Sequence, residues 1–222
     1  LRTAVSALGV FDAEADDMSP EANYRKAIKL QAKIATVVTA FSRIRKGLEP
    51  VEPKPELGYA ANFLYMLKGE EPKEIEIEAF DKALVLHADH ELNASTFTAR
   101  VCVATLSDVY SGITAAIGAL KGPLHGGANE AVMHMLNEVS TPEAFEELIR
   151  EKLKNKEKIM GFGHRVYMDR MDPRASVMKE HLRELSERDG DDTLLRMCEA
   201  GERVMKEEKG LFPNLDYYAA PV

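Results

Sequence analysis

A repeated helix-start signal constrains the fold of this chain more than any other feature. Three times a residue with a short polar side chain stands directly before a proline, at Ser19-Pro20, Thr141-Pro142 and Asp172-Pro173. The side-chain oxygen can accept a hydrogen bond from a free helical amide, and proline suits the first helical position because no donor is needed there. Helices are therefore predicted to begin at these points and to end near residues 45, 154 and 188.

The rest of the chain also has helical patterning. Further helices are predicted at about 58–68, 74–88, 94–106, 108–120, 127–138 and 192–209. No convincing two-residue alternation indicates a strand, so the predicted fold class is all-α. Three prolines in residues 47–55 predict an exposed loop. In the first long helix, one apolar stripe is predicted to face the core: Ala27, Ile28, Leu30, Ile34, Val37, Val38 and Phe41.

Composition narrows the class of protein. The chain has 222 residues, 45% of them hydrophobic and 30% charged, which is typical of a globular protein with one large or two small domains. No apolar run reaches the roughly 18 residues needed to span a bilayer, and nothing resembles an export signal, so the expected location is cytoplasmic. The net charge of −8 opposes nucleic-acid binding. Two cysteines, Cys102 and Cys198, are expected to be reduced.

Histidines mark three segments that can carry chemistry. His87 and His90 are three residues apart, which leaves open a metal site, a pair of helix-terminal histidines or an anion-binding His90. His125 follows Gly-Pro-Leu and precedes two glycines, which leaves open a turn with an incidental histidine or a bend that brings backbone amides close to a ligand. His164 ends a Gly-Phe-Gly-His segment that does not match the dinucleotide fingerprint.

Two charged residues complete the set of candidates. Arg174 lies at a helix start, where its guanidinium and the free amides can both meet an anion. The competing interpretation is a surface arginine paired with Glu180 or Asp169. Asp216 follows Pro-Asn-Leu in a predicted turn, and an aspartate in a turn often bonds only nearby amides.

Taken together, these segments resemble the citrate synthase family, of the shorter bacterial and archaeal type. The resemblance rests on residues 87–96, 122–129, 161–167, 172–175 and 212–216, and it covers essentially the whole chain. It implies an all-helical homodimer in which a small domain closes over the active site. The large domain would take residues 1–121, the small domain 122–218, and 219–222 would return to the large domain. The family has further segments at both ends, so this chain is expected to be cut.

The resemblance also implies a role for each candidate. Asp216 would take a proton from the acetyl methyl group of acetyl-CoA, while His125 donates a hydrogen bond to the thioester oxygen. His164 would polarise the keto group of oxaloacetate, and His90 and Arg174 would bind its carboxylates. An aspartate with a pKa of about 3.9 in water is a weak base, so this chemistry requires a dry pocket and a donor that stabilises the enolate.

CoA binding is implied for a further set of residues. The resemblance gives no permanently bound cofactor and no metal, with acetyl-CoA and CoA as the cosubstrate pair. Met168 stands where relatives often have a basic residue. The implied CoA-binding residues are Ile159, Gly161, Phe162, Gly163, Lys209 and Asn214.

Two other functions remain open beside citrate synthesis. The first is 2-methylcitrate synthesis from propionyl-CoA, because one extra methylene changes binding by only about 1 to 3 kcal/mol. The second is a non-catalytic fragment that binds CoA or dimerises. The expected partners are oxaloacetate, acetyl-CoA and a second copy of the chain, with no nucleic acid and no membrane.

Overall fold

The computed structural model describes residues 1–88, 92–164 and 166–222. The described residues contain only helices, turns and one isolated antiparallel bridge, so the predicted all-α class is confirmed. None of the helices there is long and apolar enough to cross a bilayer. The helices are α1 Arg2–Val10, α2 Pro20–Arg45, α3 Tyr59–Lys68, α4 Glu74–Ala88, α5 Ala94–Val103, α6 Val109–Leu120, α7 Gly127–Leu136, α8 Pro142–Lys154, α9 Pro173–Asp189, α10 Thr193–Lys209 and α11 Leu215–Ala219.

The predicted caps are confirmed at α2, α8 and α9. Ser19 Oγ accepts from the amide of Ala22, Thr141 Oγ1 accepts from that of Ala144, and each helix has proline in its first turn. At α9 the Asp172 carboxylate accepts from the amide two residues ahead. These caps satisfy amides that a helix leaves free, which explains why local sequence was enough to locate the helix starts.

Two helices, α1 and α11, were not predicted. α1 begins after Leu1 without a side-chain cap and has no acidic residue in its first turn. It is stabilised by packing, since Val5 is fully buried in a cluster with Leu30 and Tyr110. Tertiary contacts of this kind are invisible to a search for local start signals.

The chain divides into two compact units. Unit 1 comprises residues 1–77 and 88–125, and unit 2 comprises residues 78–87 and 126–222. The domain limits implied by the family resemblance, at residues 121 and 218, stay a prediction.

The prediction that one apolar face of α2 is buried is wrong for several of its residues. Ile28 is 53% exposed and Phe41 is 57% exposed, while Leu30 is buried as predicted. A three- and four-residue spacing identifies an apolar stripe, but it does not say what covers the stripe. The residues of α2 that are buried are Ala22, Lys26, Leu30, Ala35 and Thr39.

Lys26 fastens the loop before α2. Its side chain is completely buried, and Nζ donates to the carbonyl oxygens of Ala15 at 3.0 Å and Asp17 at 2.6 Å. Nearby, the hydroxyl of Tyr110 donates to the carboxylate of Asp12. Unit 1 is therefore held by polar contacts as well as by its small apolar cluster.

Unit 2 has a larger apolar core, drawn from α7 to α11. Two chain segments that carry site candidates contribute side chains to this core. They are the glycine segment, residues 161–164, and the proline segment, residues 212–216. The completely buried large apolar side chains of this core are Val132, Phe145, Ile149, Met178, Val204, Tyr217 and Tyr218.

Candidate active site

Backbone hydrogen bonds join the glycine segment to the proline segment. The amide of Gly163 donates to the carbonyl oxygen of Phe212 at 3.0 Å, and the amide of Asn214 donates to that of Gly161 at 2.9 Å. The two segments are about fifty residues apart in sequence, and no periodicity connects them. Because these bonds use only backbone groups, they fix the relative position of the residues that the two segments carry.

Asn214 strengthens this junction with both ends of its side chain. Its Oδ1 accepts from the amide of Asp216 at 3.1 Å, and its Nδ2 donates to the carbonyl oxygen of Gly163 at 3.2 Å. Asn214 is thus the N-cap of α11. The turn predicted around Asp216 is wrong, because Asp216 lies in the first turn of this five-residue helix.

The CoA-binding candidates of unit 2 occupy different surroundings. Ile159 and Phe162 have buried side chains in the core, so only their backbone can meet a ligand. Gly161 has a φ of +85°, and a Cβ there would lie 2.9 Å from atoms of Tyr217 and of a neighbouring valine. The missing side chain therefore makes room for the protein itself. Lys209 is exposed at the last residue of α10.

His164 is oriented by the backbone that follows it. The amide of Val166 donates to Nδ1 of His164 at 3.1 Å, and the imidazole lies 5.2 Å from the ring of Tyr167. Because Nδ1 is the acceptor, the proton of the neutral imidazole is on Nε2. His164 can therefore donate a hydrogen bond from Nε2.

Arg174 forms a bidentate pair with Asp172. Nε and Nη2 of Arg174 lie 3.1 and 2.7 Å from the two carboxylate oxygens of Asp172, which is completely buried. The carboxylate that pairs with Arg174 is thus Asp172 and not the alternative Glu180, which contacts Arg183 instead. Nη1 takes no part in the pair with Asp172, so its N–H groups can address an anion.

The buried carboxylate of Asp172 stays charged. Burial alone would raise its pKa, but hydrogen bonds from the side chain and amide of Arg174 outweigh burial. The positive charge of Arg174 acts in the same direction, and these contacts together hold the pKa of Asp172 below its ordinary value. Asp172 also donates its amide to the carbonyl oxygen of Pro213 at 3.2 Å, which ties the start of α9 to the proline segment.

His125 lies in unit 1, at the end of a tight turn. Its amide donates to the carbonyl oxygen of Gly122 at 3.0 Å, which confirms the predicted bend. Its Nε2 lies 2.8 Å from Oγ of Ser95 in the first turn of α5. Ser95 was not predicted as a site residue. A signal was available, because Asn93 is a typical N-cap and fixes the helical position that Ser95 takes.

One of the two remaining histidine candidates, His87, lies in the last turn of α4. His90 lies outside the described residues. His87 is exposed, and its Nδ1 lies 2.7 Å from the carbonyl oxygen of Ala83 one turn earlier. Within the described ranges, no group of three or more His, Cys, Asp or Glu side chains has the arrangement of a metal site.

The fold and site thus define an all-helical protein in which a histidine, a paired arginine and an aspartate are carried by joined segments. The family described as citrate synthase, C-terminal domain, matches residues 1–222. The chain belongs to this family.

Individual relatives agree with this assignment. The chain is 65% identical to "Citrate synthase 2" of Bacillus subtilis, covering all of this chain and 59% of that protein. It is 55% identical to "Citrate/2-methylcitrate synthase" of the same organism, covering all of this chain and 60% of that protein. The chain therefore spans about three fifths of the length of these relatives.

A solved structure of the family is also similar. Citrate synthase from the archaeon Thermoplasma acidophilum matches with a TM-score of 0.91 and 34% sequence identity, over 99% of this chain and 58% of that one. That protein was solved in a ternary complex with carboxymethyl coenzyme A and oxaloacetate.

Proposed function

We propose that this chain supplies the catalytic residues of a citrate synthase, which condenses acetyl-CoA with oxaloacetate and water to give citrate and CoA. The observation that carries the proposal is the backbone junction that joins the segments of His164 and Asp216. A condensation of this kind needs a base for the acetyl group and a donor for the keto group.

The first step is proton abstraction from the methyl group of acetyl-CoA. Asp216 takes the proton, and His125 donates a hydrogen bond to the thioester oxygen as that oxygen gains enolate charge. The contact between Ser95 Oγ and His125 Nε2 supports this role, because it leaves the opposite nitrogen, Nδ1, for a ligand. A preset donor of this kind contributes roughly 3 to 4 kcal/mol to stabilisation of the transition state.

The second step is attack of the enol carbon on the keto carbon of oxaloacetate. His164 donates from Nε2 to the keto oxygen and supplies a proton to it as the new carbon–carbon bond forms. Arg174 and His90 bind carboxylates, and Asp172 holds the Arg174 guanidinium in one orientation. Hydrolysis of the resulting thioester then gives citrate and free CoA.

CoA binding is proposed for backbone groups of Ile159, Gly161, Phe162 and Gly163 and for the side chain of Lys209. Exposure of Lys209 at the end of α10 supports its part, since an ammonium group there is accessible to a phosphate. Asn214 is better supported as the residue that joins the two segments, because both ends of its side chain are used inside the protein.

The test is release of free thiol when the 222-residue chain is mixed with acetyl-CoA and oxaloacetate. We expect release that depends on oxaloacetate and that Asp216→Ala abolishes. Ser6→Ala, an exposed substitution on α1, is the matched control and is expected to retain the parent rate. Thiol release that survives in Asp216→Ala would remove Asp216 as the base. A folded parent that releases none would favour the non-catalytic alternative.

Propionyl-CoA is a second candidate substrate. The 55% identity to a protein named for both citrate and 2-methylcitrate favours it. Measuring kcat/KM for both acyl-CoA substrates separates the two functions, and we expect acetyl-CoA to be preferred. A preference for propionyl-CoA would assign 2-methylcitrate synthesis.

We further propose that the chain acts as a homodimer in the cytoplasm. The large apolar side chains that unit 1 leaves exposed, including Phe41 and Ile44 three residues apart on α2, support self-association, because soluble monomers rarely leave neighbouring side chains of this kind in water. Sedimentation equilibrium at micromolar concentration tests the dimer, and a single monomeric species would contradict it.

A further inference from the structure

The helix that carries Asp216 is too short to hold its own orientation. α11 has five residues, and isolated helices of fewer than about 12 residues are marginal in water. The direction of the Asp216 side chain therefore depends on how the rest of α11 is anchored. Immediately after Asp216 come Tyr217 and Tyr218, and both are completely buried.

Tyr217 anchors one side of α11 to α10. Its hydroxyl donates to the carbonyl oxygen of Cys198 at 2.9 Å, and its ring lies 4.3 Å from that of Phe162 in the glycine segment. A Cβ on Gly201 would lie 2.3 Å from this hydroxyl oxygen. The absence of a side chain at Gly201 therefore leaves the space in which Tyr217 reaches α10.

Tyr218 anchors the helix through a charged pair. Its hydroxyl donates to Oε2 of Glu202 at 2.5 Å, and the same oxygen accepts from Nζ of Lys179 at 2.9 Å. The Lys179 ammonium group also lies 5.3 Å from the centre of the Tyr218 ring. Tyr218 is thereby tied to α10 by a hydrogen bond to a charged acceptor, and Lys179 ties that acceptor to α9.

The directions of the side chains connect this anchor to Asp216. Successive residues of a helix are rotated by about 100°, so residues two apart point to nearly opposite sides. Tyr218 points towards α9 and α10, and Asp216 therefore points away from them. A rotation of α11 about its axis moves the Asp216 carboxylate, and the Tyr218 hydroxyl resists this rotation by a directional bond to a charged acceptor, as the Tyr217 hydroxyl does by its bond to a carbonyl oxygen.

We propose that Tyr218, held by Glu202 and Lys179, is a positioning residue that fixes the orientation of the Asp216 carboxylate for proton abstraction. The inference rests on the proposed function of Asp216. It also accounts for a charged pair beside an apolar core. Glu202 and Lys179 are each 22% exposed. Burial of two charges is costly unless they pair with each other and are hydrogen-bonded in good geometry.

The kinetic test compares Tyr218→Phe with the parent 222-residue chain. We expect kcat to fall by about 10- to 100-fold, because a displacement of about 1 Å in a reacting group has an effect of this size. KM for oxaloacetate is expected to stay within about twofold. With acetyl-CoA deuterated at the methyl group, the isotope effect on kcat is expected to rise, because proton abstraction becomes slower relative to the other steps. A loss of folded protein would lower kcat and leave the isotope effect unchanged.

Three further variants sharpen the test. Glu202→Gln keeps an oxygen acceptor for the Tyr218 hydroxyl and is expected to retain kcat within about threefold, whereas Glu202→Leu removes the acceptor and is expected to match Tyr218→Phe. Tyr24→Phe, at a tyrosine that is 70% exposed, is the matched control and is expected to behave as the parent. Parent-like kcat and isotope effect in Tyr218→Phe would overturn the proposal.

A spectroscopic arm separates this inference from the function itself. In chain labelled with 13C at the aspartate carboxyl carbons, the Asp216 resonance is identified by its loss in Asp216→Asn. We expect Tyr218→Phe to shift or broaden this resonance and to leave that of Asp12 in unit 1 unchanged. If the parent releases no thiol and the Asp216 resonance still moves, the citrate synthase function fails and the anchoring stands. An unmoved Asp216 resonance would overturn the anchoring whatever the activity.

Discussion

Units 1 and 2 bury their apolar residues to very different extents. In unit 2, five helices contribute large side chains to one core, which includes Phe145, Met178 and Tyr217. In unit 1, the described cluster of large buried side chains is small, and Ile28 and Phe41 on its longest helix face outward. The candidate residues of unit 2 are therefore positioned by an apolar core of the same unit, whereas the stability of unit 1 relies more on polar contacts.

The polar contacts of the two units differ in the same way. Unit 2 places a carboxylate, Asp172, in full burial against the guanidinium of Arg174. Unit 1 buries an ammonium group, Lys26, against two backbone carbonyl oxygens of a loop. One arrangement orients a candidate ligand-binding arginine, and the other fastens a segment with no assigned role. Matched pairs of substitutions can test whether the two units also differ in how much these contacts contribute to the free energy of unfolding.

The largest expected effect is at Tyr217 in the unit 2 core. Tyr217→Ala removes a completely buried ring and a hydrogen bond, so we expect a loss of about 4 kcal/mol in the free energy of unfolding. Phe41→Ala in unit 1 removes an aromatic ring that is 57% exposed and is expected to cost about 0.5 kcal/mol or less. Urea unfolding followed by circular dichroism measures both. Equal losses would end the contrast between the two units.

The buried pair of unit 2 gives the next largest effect. Asp172→Asn keeps the helix cap but removes the charge opposite Arg174, and we expect a loss of about 3 kcal/mol at pH 7. Asp189→Asn is the matched control, because Arg188 and Asp189 form a similar bidentate pair at the surface. Exposed pairs contribute about 0 to 1 kcal/mol.

The same pair has a defined pH dependence. The pKa of Asp172 is lower in the folded chain than the value of about 3.9 expected when it is unfolded. A carboxylate whose pKa is lower in the folded state stabilises that state at any pH above its unfolded pKa. This contribution is lost as the pH falls through the folded pKa. The gap between the parent and Asp172→Asn should therefore be constant from pH 7 to 5 and shrink below pH 4. A gap that is still full at pH 3 would contradict this assignment.

Helices that start with a local cap could be predicted from sequence, whereas features that depend on tertiary contacts could not. The starts of α2, α8 and α9 were predicted because Ser19, Thr141 and Asp172 act within their own helices. The burial of α2 was wrong at Phe41, and α11 was missed, because contacts from distant parts of the chain decide both.

The candidate site shows the same limit. The motifs named His164, Arg174 and Asp216, but no pattern in the chain states that their segments are hydrogen-bonded together. The Asn93 cap fixes the helical position of Ser95 but says nothing of its partner, which is thirty residues away in the sequence, so Ser95 was missed. The residues of the candidate site could be predicted from sequence, but their hydrogen-bond partners could be identified only from the fold.

Lys26 is the third test and probes the polar support of unit 1. Lys26→Met has a similar volume but leaves the carbonyl oxygens of Ala15 and Asp17 without their donor, so we expect a loss of about 2 kcal/mol. Amide hydrogen exchange should show faster exchange in residues 11–19 and unchanged protection in α10. Lys29→Met, at a partly exposed lysine paired with acidic side chains, is the control and should change little. Unchanged exchange in residues 11–19 would show that the loop is held by other contacts.

The smallest expected effect distinguishes how the two described site histidines are held. His164 is oriented by a backbone amide, which an ordinary substitution at Val166 leaves in place, whereas His125 in unit 1 contacts a side-chain hydroxyl, Ser95. Ser95→Ala removes that contact, so under the proposed function we expect kcat to fall about fivefold, equivalent to roughly 1 kcal/mol. Val166→Ala keeps its amide and is expected to retain the parent kcat. If the two variants lose activity equally, the hydroxyl of Ser95 does not orient His125, and the backbone turn at Gly122 is sufficient.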